Sequence, residues 1–184
     1  MSAKKTNSLA ESRVKLIRNL HYGLLLIIAM FVLSALVAGE LFGAYEMFWW
    51  WDDMLHMLSG VIVGLVGLLS IYYFNANHTM KISPVFVAIF VFCFAMALGA
   101  VWEIFEFFMD LLFGLNMQRW NMPITAEVIG ADYQGMGLRD TMSDFITASI
   151  GSIIAAVISY FAYRHERAVV IGVMQRMFPW LRRD

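Results

Sequence analysis

The stretch VFVAIFVFCFAMALGAVWEIFEFFMDLL, Val85–Leu112, decides the fold. Its first 18 residues hold no charged side chain. That length suits a membrane-spanning helix, which needs roughly 20 apolar residues to cross the hydrocarbon core. The last third then introduces Glu103, Glu106 and Asp110, spaced by three and four so that a helix places them on one stripe. One question is what solvent the apolar part needs; the other is what the acids are for.

Composition answers the first. Hydrophobic residues make up 61% of the 184 and charged residues 15%, against about 45–50% and about 25% in soluble domains. Three further segments match the first in character: Leu20–Phe42, Met54–Phe74 and Phe145–Phe161, the last extended by the turn Arg139–Asp144. The expected fold is all-α, a polytopic membrane protein with a four-transmembrane-helix bundle. Its spans lie at about 20–42, 54–74, 85–112 and 140–161, within a bundle of 20–164. A basic tail (1–19) precedes it and a basic amphipathic tail (165–184) follows. The apolar run after the basic start is too long for a cleavable signal peptide. Cys93 has no second cysteine to pair with and reads as a small apolar residue.

Orientation follows from lysine and arginine. Eleven of the 13 fall in the N-terminal tail, at Lys81 between the second and third spans, and in the C-terminal tail. With four spans these segments share a side, so both termini are expected in the cytoplasm and the protein in the inner membrane. Eleven of the 14 acids map to the opposite half. Acids contribute little to topology, so that bias requires another cause.

The acids also converge in depth. The second span starts on the outer side with Asp52, Asp53 and His56. The third climbs about 27 Å over 18 residues before reaching Glu103. The fourth starts outside with Arg139, Asp140, Ser143 and Asp144. Three helices thus bring polar groups to one level. Either Asp52 or Asp53 is spaced to hold His56. Small residues at Ser59, Gly60, Gly64, Gly67, Gly99, Ala100, Ala148, Ser149 and Gly151 favour close packing. Helix-dipole capping accounts for acids that begin a helix, but not for Glu103 and Glu106 near a helix end. Ionisable groups inside a membrane are functional candidates. Trp49, Trp50, Trp51 and Trp120 read as interface anchors.

These groups suit general acid–base work or a divalent cation. The expected catalytic set is His56, Asp53, Glu103, Glu106, Asp140 and Asp144. Arg139, Asp52 and Ser143 would bind substrate, and Glu103, Glu106, Asp140 and Asp144 are the metal candidates. No HExxH, cysteine zinc pattern, GxSxG or Walker loop occurs. The segment Phe113–Leu138 reads as an outer loop that could cover the site.

Three motifs stand in order: Asp53-x-x-His56 with Gly60, Trp102-Glu103-x-x-Glu106, and Gly137-x-Arg139-Asp140-Thr141-x-x-Asp144 with Gly151. In order and topology they resemble the VanZ-like membrane proteins, in particular an inner-membrane branch. The resemblance implies a compact helical membrane bundle linked to lipid or cell-envelope chemistry. The function expected is phosphoester processing of lipid or lipid-linked substrates at the outer leaflet. Membrane lipids are the expected partners, and nucleic acid is not. The rivals are a cation- or proton-binding transporter-like module and a non-enzymatic structural membrane protein.

Overall fold

The computed structural model describes residues 22–23, 25–78, 81–120 and 135–177, with side chains described up to 75 in the second stretch and up to 165 in the last. The described residues form five helices and no strand. They are α1 (Leu25–Leu41), α2 (Ala44–Met47), α3 (Trp51–His78), α4 (Pro84–Phe113) and α5 (Met136–Met177). Three stretches are long and apolar enough to cross a membrane: Trp51–Asn75, Pro84–Phe113 and Met136–His165. These correspond to the second, third and fourth expected spans. The first expected span is a shorter apolar helix over its described part, Leu25–Leu41, and the residues before Tyr22 lie outside the described residues.

Local chemistry sets the helix ends. Ser83 caps α4 by accepting the Phe86 N–H at 3.1 Å, and Pro84 follows at the first helical position. Gly114 ends α4 in the left-handed region (φ 65°), its N–H bonded to the Asp110 carbonyl. The last part of α1, Ser34–Leu41, winds as a π-helix, and the Phe42 N–H reaches back five residues to the Val37 carbonyl. Beside this wide turn Gly39 leaves the space that the Tyr45 ring fills.

The most extensive interface joins α3 and α5, and α4 packs on both. Glycine allows α3 and α5 to touch backbone to backbone. A Cβ on Gly60 would run into the Ala148 carbonyl, and one on Gly151 into the Met57 carbonyl. Gly64 faces Ala155 and Val91, and Gly67 faces Phe94. Gly99, expected to aid packing, has nothing within 4 Å of its added Cβ and serves no close approach. Cys93 is exposed on the flank of α4.

At the end of the bundle away from the acids, an apolar core joins Leu68, Ile71, Tyr72, Val87, Val91, Ala155, Ala156 and Tyr163. Beside it the buried amide of Asn75 donates to the Tyr163 hydroxyl at 2.8 Å. An open groove of about 390 Å³ between α4 and α5 is lined by Val85, Ile89, Phe92, Ile153, Val157 and Phe161 among others, and its wall is wholly apolar. It offers nothing to hold a charged ligand, so the chemistry lies elsewhere. Large aliphatic and aromatic side chains such as Ile104, Leu111, Ile146, Ile154 and Phe161 project from the outer faces of α4 and α5. In water such faces would be a liability, whereas hydrocarbon solvates them.

Candidate functional site

The polar groups gather where the first turns of α3 and α5 meet the last turns of α4. On α3, Asp52 and His56 share a face by their i,i+4 spacing, with Asp52 Oδ1 3.7 Å from His56 Nε2. From α4, Glu103 Oε1 lies 3.7 Å from His56 Nδ1. From α5, Asp144 Oδ1 lies 3.8 Å from His56 Nε2. These are ion-pair separations, longer than hydrogen bonds. The imidazole is therefore ringed by carboxylates from three helices. Of the two acids spaced to hold it, Asp52 is the one in ion-pair range. Asp53 turns to α5, where the Ser143 hydroxyl donates to its Oδ1 at 2.6 Å.

The carboxylates are deeply placed. Glu103, Glu106 and Asp144 are 5%, 6% and 2% exposed, deep enough that bulk water cannot solvate them. Glu106 Oε1 accepts from the Trp102 indole N–H at 2.8 Å, and Thr141 is a hydrogen-bond partner of Glu103. One oxygen on each of the three acids, Glu103 Oε2, Glu106 Oε2 and Asp144 Oδ2, is buried with no hydrogen-bond partner. Among the described residues, two groups of side chains present donor atoms within 4.8 Å of one another: Asp52, His56 and Asp144, and Glu103, Glu106 and Asp144. Asp140 belongs to neither; it faces a guanidinium instead.

That guanidinium belongs to Arg119, which the reading of the sequence missed. Its Nη2 lies 3.4 Å from Asp52 Oδ2 and its Nε 3.7 Å from Asp140 Oδ1. Its Cζ stands 5.7 Å above the centre of the Tyr45 ring. Arg139, expected to bind substrate, is exposed in the first turns of α5. A signal for Arg119 was available: Arg119 and Arg139 are the two basic residues outside the three cytoplasm-assigned segments. A cation that breaks the positive-inside pattern invites a search for the acids that keep it there.

Arg119 is held by a short built turn. Asp110 accepts the backbone N–H of Met117 at 2.7 Å with Oδ1 and that of Gln118 at 2.9 Å with Oδ2. Asp110, which shares the α4 stripe with the glutamates, thus staples the turn. Gln118 then donates to Thr141 at 2.9 Å, and Arg119 adopts a positive φ of 48°. Trp120 is exposed and donates its indole N–H to the Leu115 carbonyl. Gly137 packs beside the turn, where a Cβ would stand in ordinary contact with Trp120 and Gln118. The loop expected over the site is described as far as Trp120, and 121–134 lie outside the described residues.

Tyr45 closes this side. Burial, with the Asp52 charge next, pushes its hydroxyl up to about 12. It stays a neutral phenol, presenting its ring face to Arg119.

No curated protein and no solved structure matches the chain. A family model described as "Predicted membrane protein (DUF2238)" matches residues 12–165, a span that includes every residue of the cluster. The chain is an integral membrane protein and belongs to the DUF2238 family of predicted membrane proteins.

Proposed function

We propose that the protein is a membrane enzyme that processes phosphoesters of lipid or lipid-linked substrates at the outer leaflet of the inner membrane. The observation that carries this reading is the ring of Asp52, Glu103 and Asp144 around His56, with Arg119 beside it. In this reading His56 is the base or nucleophile and Asp52 orients it. Arg119, whose Nη2 stands 3.4 Å from Asp52 Oδ2, brings a planar guanidinium charge to the cluster that suits a phosphate oxygen. Asp140 holds the guanidinium in place from the other side. The lipid environment lets such a substrate enter sideways, without first crossing water.

The same reading takes Leu20–Phe42 as a fourth span, which puts both termini in the cytoplasm with eleven of the 13 basic residues and turns the polar end outward. The VanZ-like order of motifs supports a link to envelope lipids. A transporter-like module is the rival. No charged side chain lies below the cluster on α3 from Met57 to Phe74 or on α4 from Val85 to Val101, and the buried polar groups beyond it, Ser152, Ser159 and Asn75, are neutral, which favours chemistry in place over conduction.

The test is headgroup release from lipid vesicles containing the purified protein. His56→Ala is expected to lower turnover about 10²- to 10⁴-fold, the usual contribution of a positioned acid–base group. Equal turnover in variant and wild type would remove His56 from the mechanism.

A further inference from the structure

The charges in the cluster divide unevenly among their partners. Asp52 and Asp140 face Arg119, Asp53 is bonded to Ser143, and Asp110 is bonded to two backbone N–H groups. Glu103, Glu106 and Asp144 are left. Glu106 has one indole N–H and Glu103 one hydroxyl as neutral partners, and the imidazole stands 3.7 Å from Glu103 and 3.8 Å from Asp144. All three are more than nine-tenths buried, and each has a buried oxygen with no hydrogen bond. Unpaired buried charge is among the costliest arrangements a protein can hold, and more so at membrane depth.

Their geometry is that of a ligand set. One carboxylate oxygen from each comes within 4.8 Å of the others. Hard divalent cations take such oxygens at roughly 2.0–2.6 Å, so small side-chain rotations close the three around an ion. The neighbouring group of Asp52, His56 and Asp144 is the competing position. It is the poorer one, because Asp52 already has Arg119 as its counter-ion. The ligands stand on helices: Glu103 and Glu106 sit one turn apart on α4, and Asp144 lies on α5 seven residues before the Gly151 crossing.

We propose that Glu103, Glu106 and Asp144 form a binding site for one hard divalent cation, held through carboxylate oxygens. The site deepens the phosphoester reading, since a cation beside Arg119 removes the repulsion between an acidic pocket and a phosphate. It also stands without that reading, as a property of binding alone.

The probe is Mn²⁺ added to the full-length chain in detergent or nanodiscs after treatment with chelator. Elemental analysis gives the stoichiometry and electron paramagnetic resonance gives the ligands. One Mn²⁺ per chain is expected, without nitrogen coupling from an imidazole. Glu106→Gln and Asp144→Asn, which keep shape while removing charge, should each weaken binding by about 10- to 100-fold or more. Glu46→Gln, exposed and outside the cluster, should leave binding unchanged. Monodisperse elution of each variant checks folding. Absence of bound Mn²⁺ in the wild type overturns the site, and so does unaltered affinity in both charge-neutralised variants. Clear imidazole nitrogen coupling overturns it as well, by moving the ion to His56. Vesicle turnover measured in parallel separates the two ideas. Mn²⁺ bound as described with no turnover upholds the site and refutes the enzyme. Turnover that survives chelator, with no ion bound, refutes the site and upholds the enzyme.

Discussion

Two glycines that look alike in the sequence should respond in opposite directions to the same substitution. In Gly151→Ala the new Cβ would stand 2.9 Å from the Met57 carbonyl carbon and 3.1 Å from the Val61 nitrogen, and closer still to the Met57 oxygen. Carbon atoms pack at about 3.5–4.0 Å, so the shortfall is roughly 0.6 Å or more, and every obstructing atom is backbone. No rotamer change relieves it, so α3 and α5 must separate. Overpacking of this kind costs up to about 3 kcal/mol. Alanine returns about 1 kcal/mol of helix propensity, leaving a net loss of about 2 kcal/mol. In Gly99→Ala nothing lies within 4 Å of the new methyl group, and only the gain of about 1 kcal/mol remains. On the scale of soluble domains of this length, roughly 2–4 °C per kcal/mol, the first variant should melt about 4–8 °C below wild type and the second slightly above it. Thermal unfolding in one detergent, followed by circular dichroism, measures both. The crossing lies just past His56 on α3 and seven residues past Asp144 on α5, so the destabilised variant should also widen their 3.8 Å approach. A Gly151→Ala protein that melts like wild type would refute the close backbone contact. An equal fall in Gly99→Ala would show that α4 packs through that face.

Two further outcomes follow from the edge of the cluster. Asp110→Ala removes two charge-assisted bonds to Met117 and Gln118; a loss of about 2 kcal/mol in local stability should raise the rate of tryptic cleavage after Arg119 about 30-fold, read by mass spectrometry, and an unchanged rate would mean the turn is held by other contacts. For Tyr45, whose hydroxyl is raised from 10.0 to about 12 by burial and then by Asp52, the neutral phenol adds stability that is complete below pH 10 and lost as pH rises through 12; Tyr45→Phe should flatten the alkaline fall in melting temperature across that window, and identical profiles would place the ring in water.

Three of the four expected spans were legible because hydrophobic length is a local property. Val85–Leu112 as read from the sequence differs by one residue at each end from Pro84–Phe113. The convergence of His56, Glu103 and Asp144 was legible too, since helix rise and alternating direction fix depth. What failed was azimuth and distance along the chain. Nothing local distinguishes Gly99 from Gly151, because which face of α4 meets a neighbour depends on the other helices. Asp52, four residues from His56, and Asp53, three residues away, both qualify as its partner until the roll of α3 is known. Arg119 was missed because its position depends on a turn tied to Asp110, and its contacts lie on α3 and α5. The π-helical end of α1 follows no residue pattern in Ser34–Leu41; it accommodates the Tyr45 ring over Gly39.

The 42 residues of α5 run unbroken from Met136 to Met177, a rod of about 63 Å at 1.5 Å per residue. Its close backbone contact, Gly151 against Met57, lies off-centre. Asp144 stands about 10 Å to one side of that contact and Met177 about 39 Å to the other. On the long side Ala155, Ala156 and Tyr163 are buried in the apolar core with α3 and α4. The apolar end is thus an anchor for the polar end: what fixes α5 in the core also fixes where Asp144 stands.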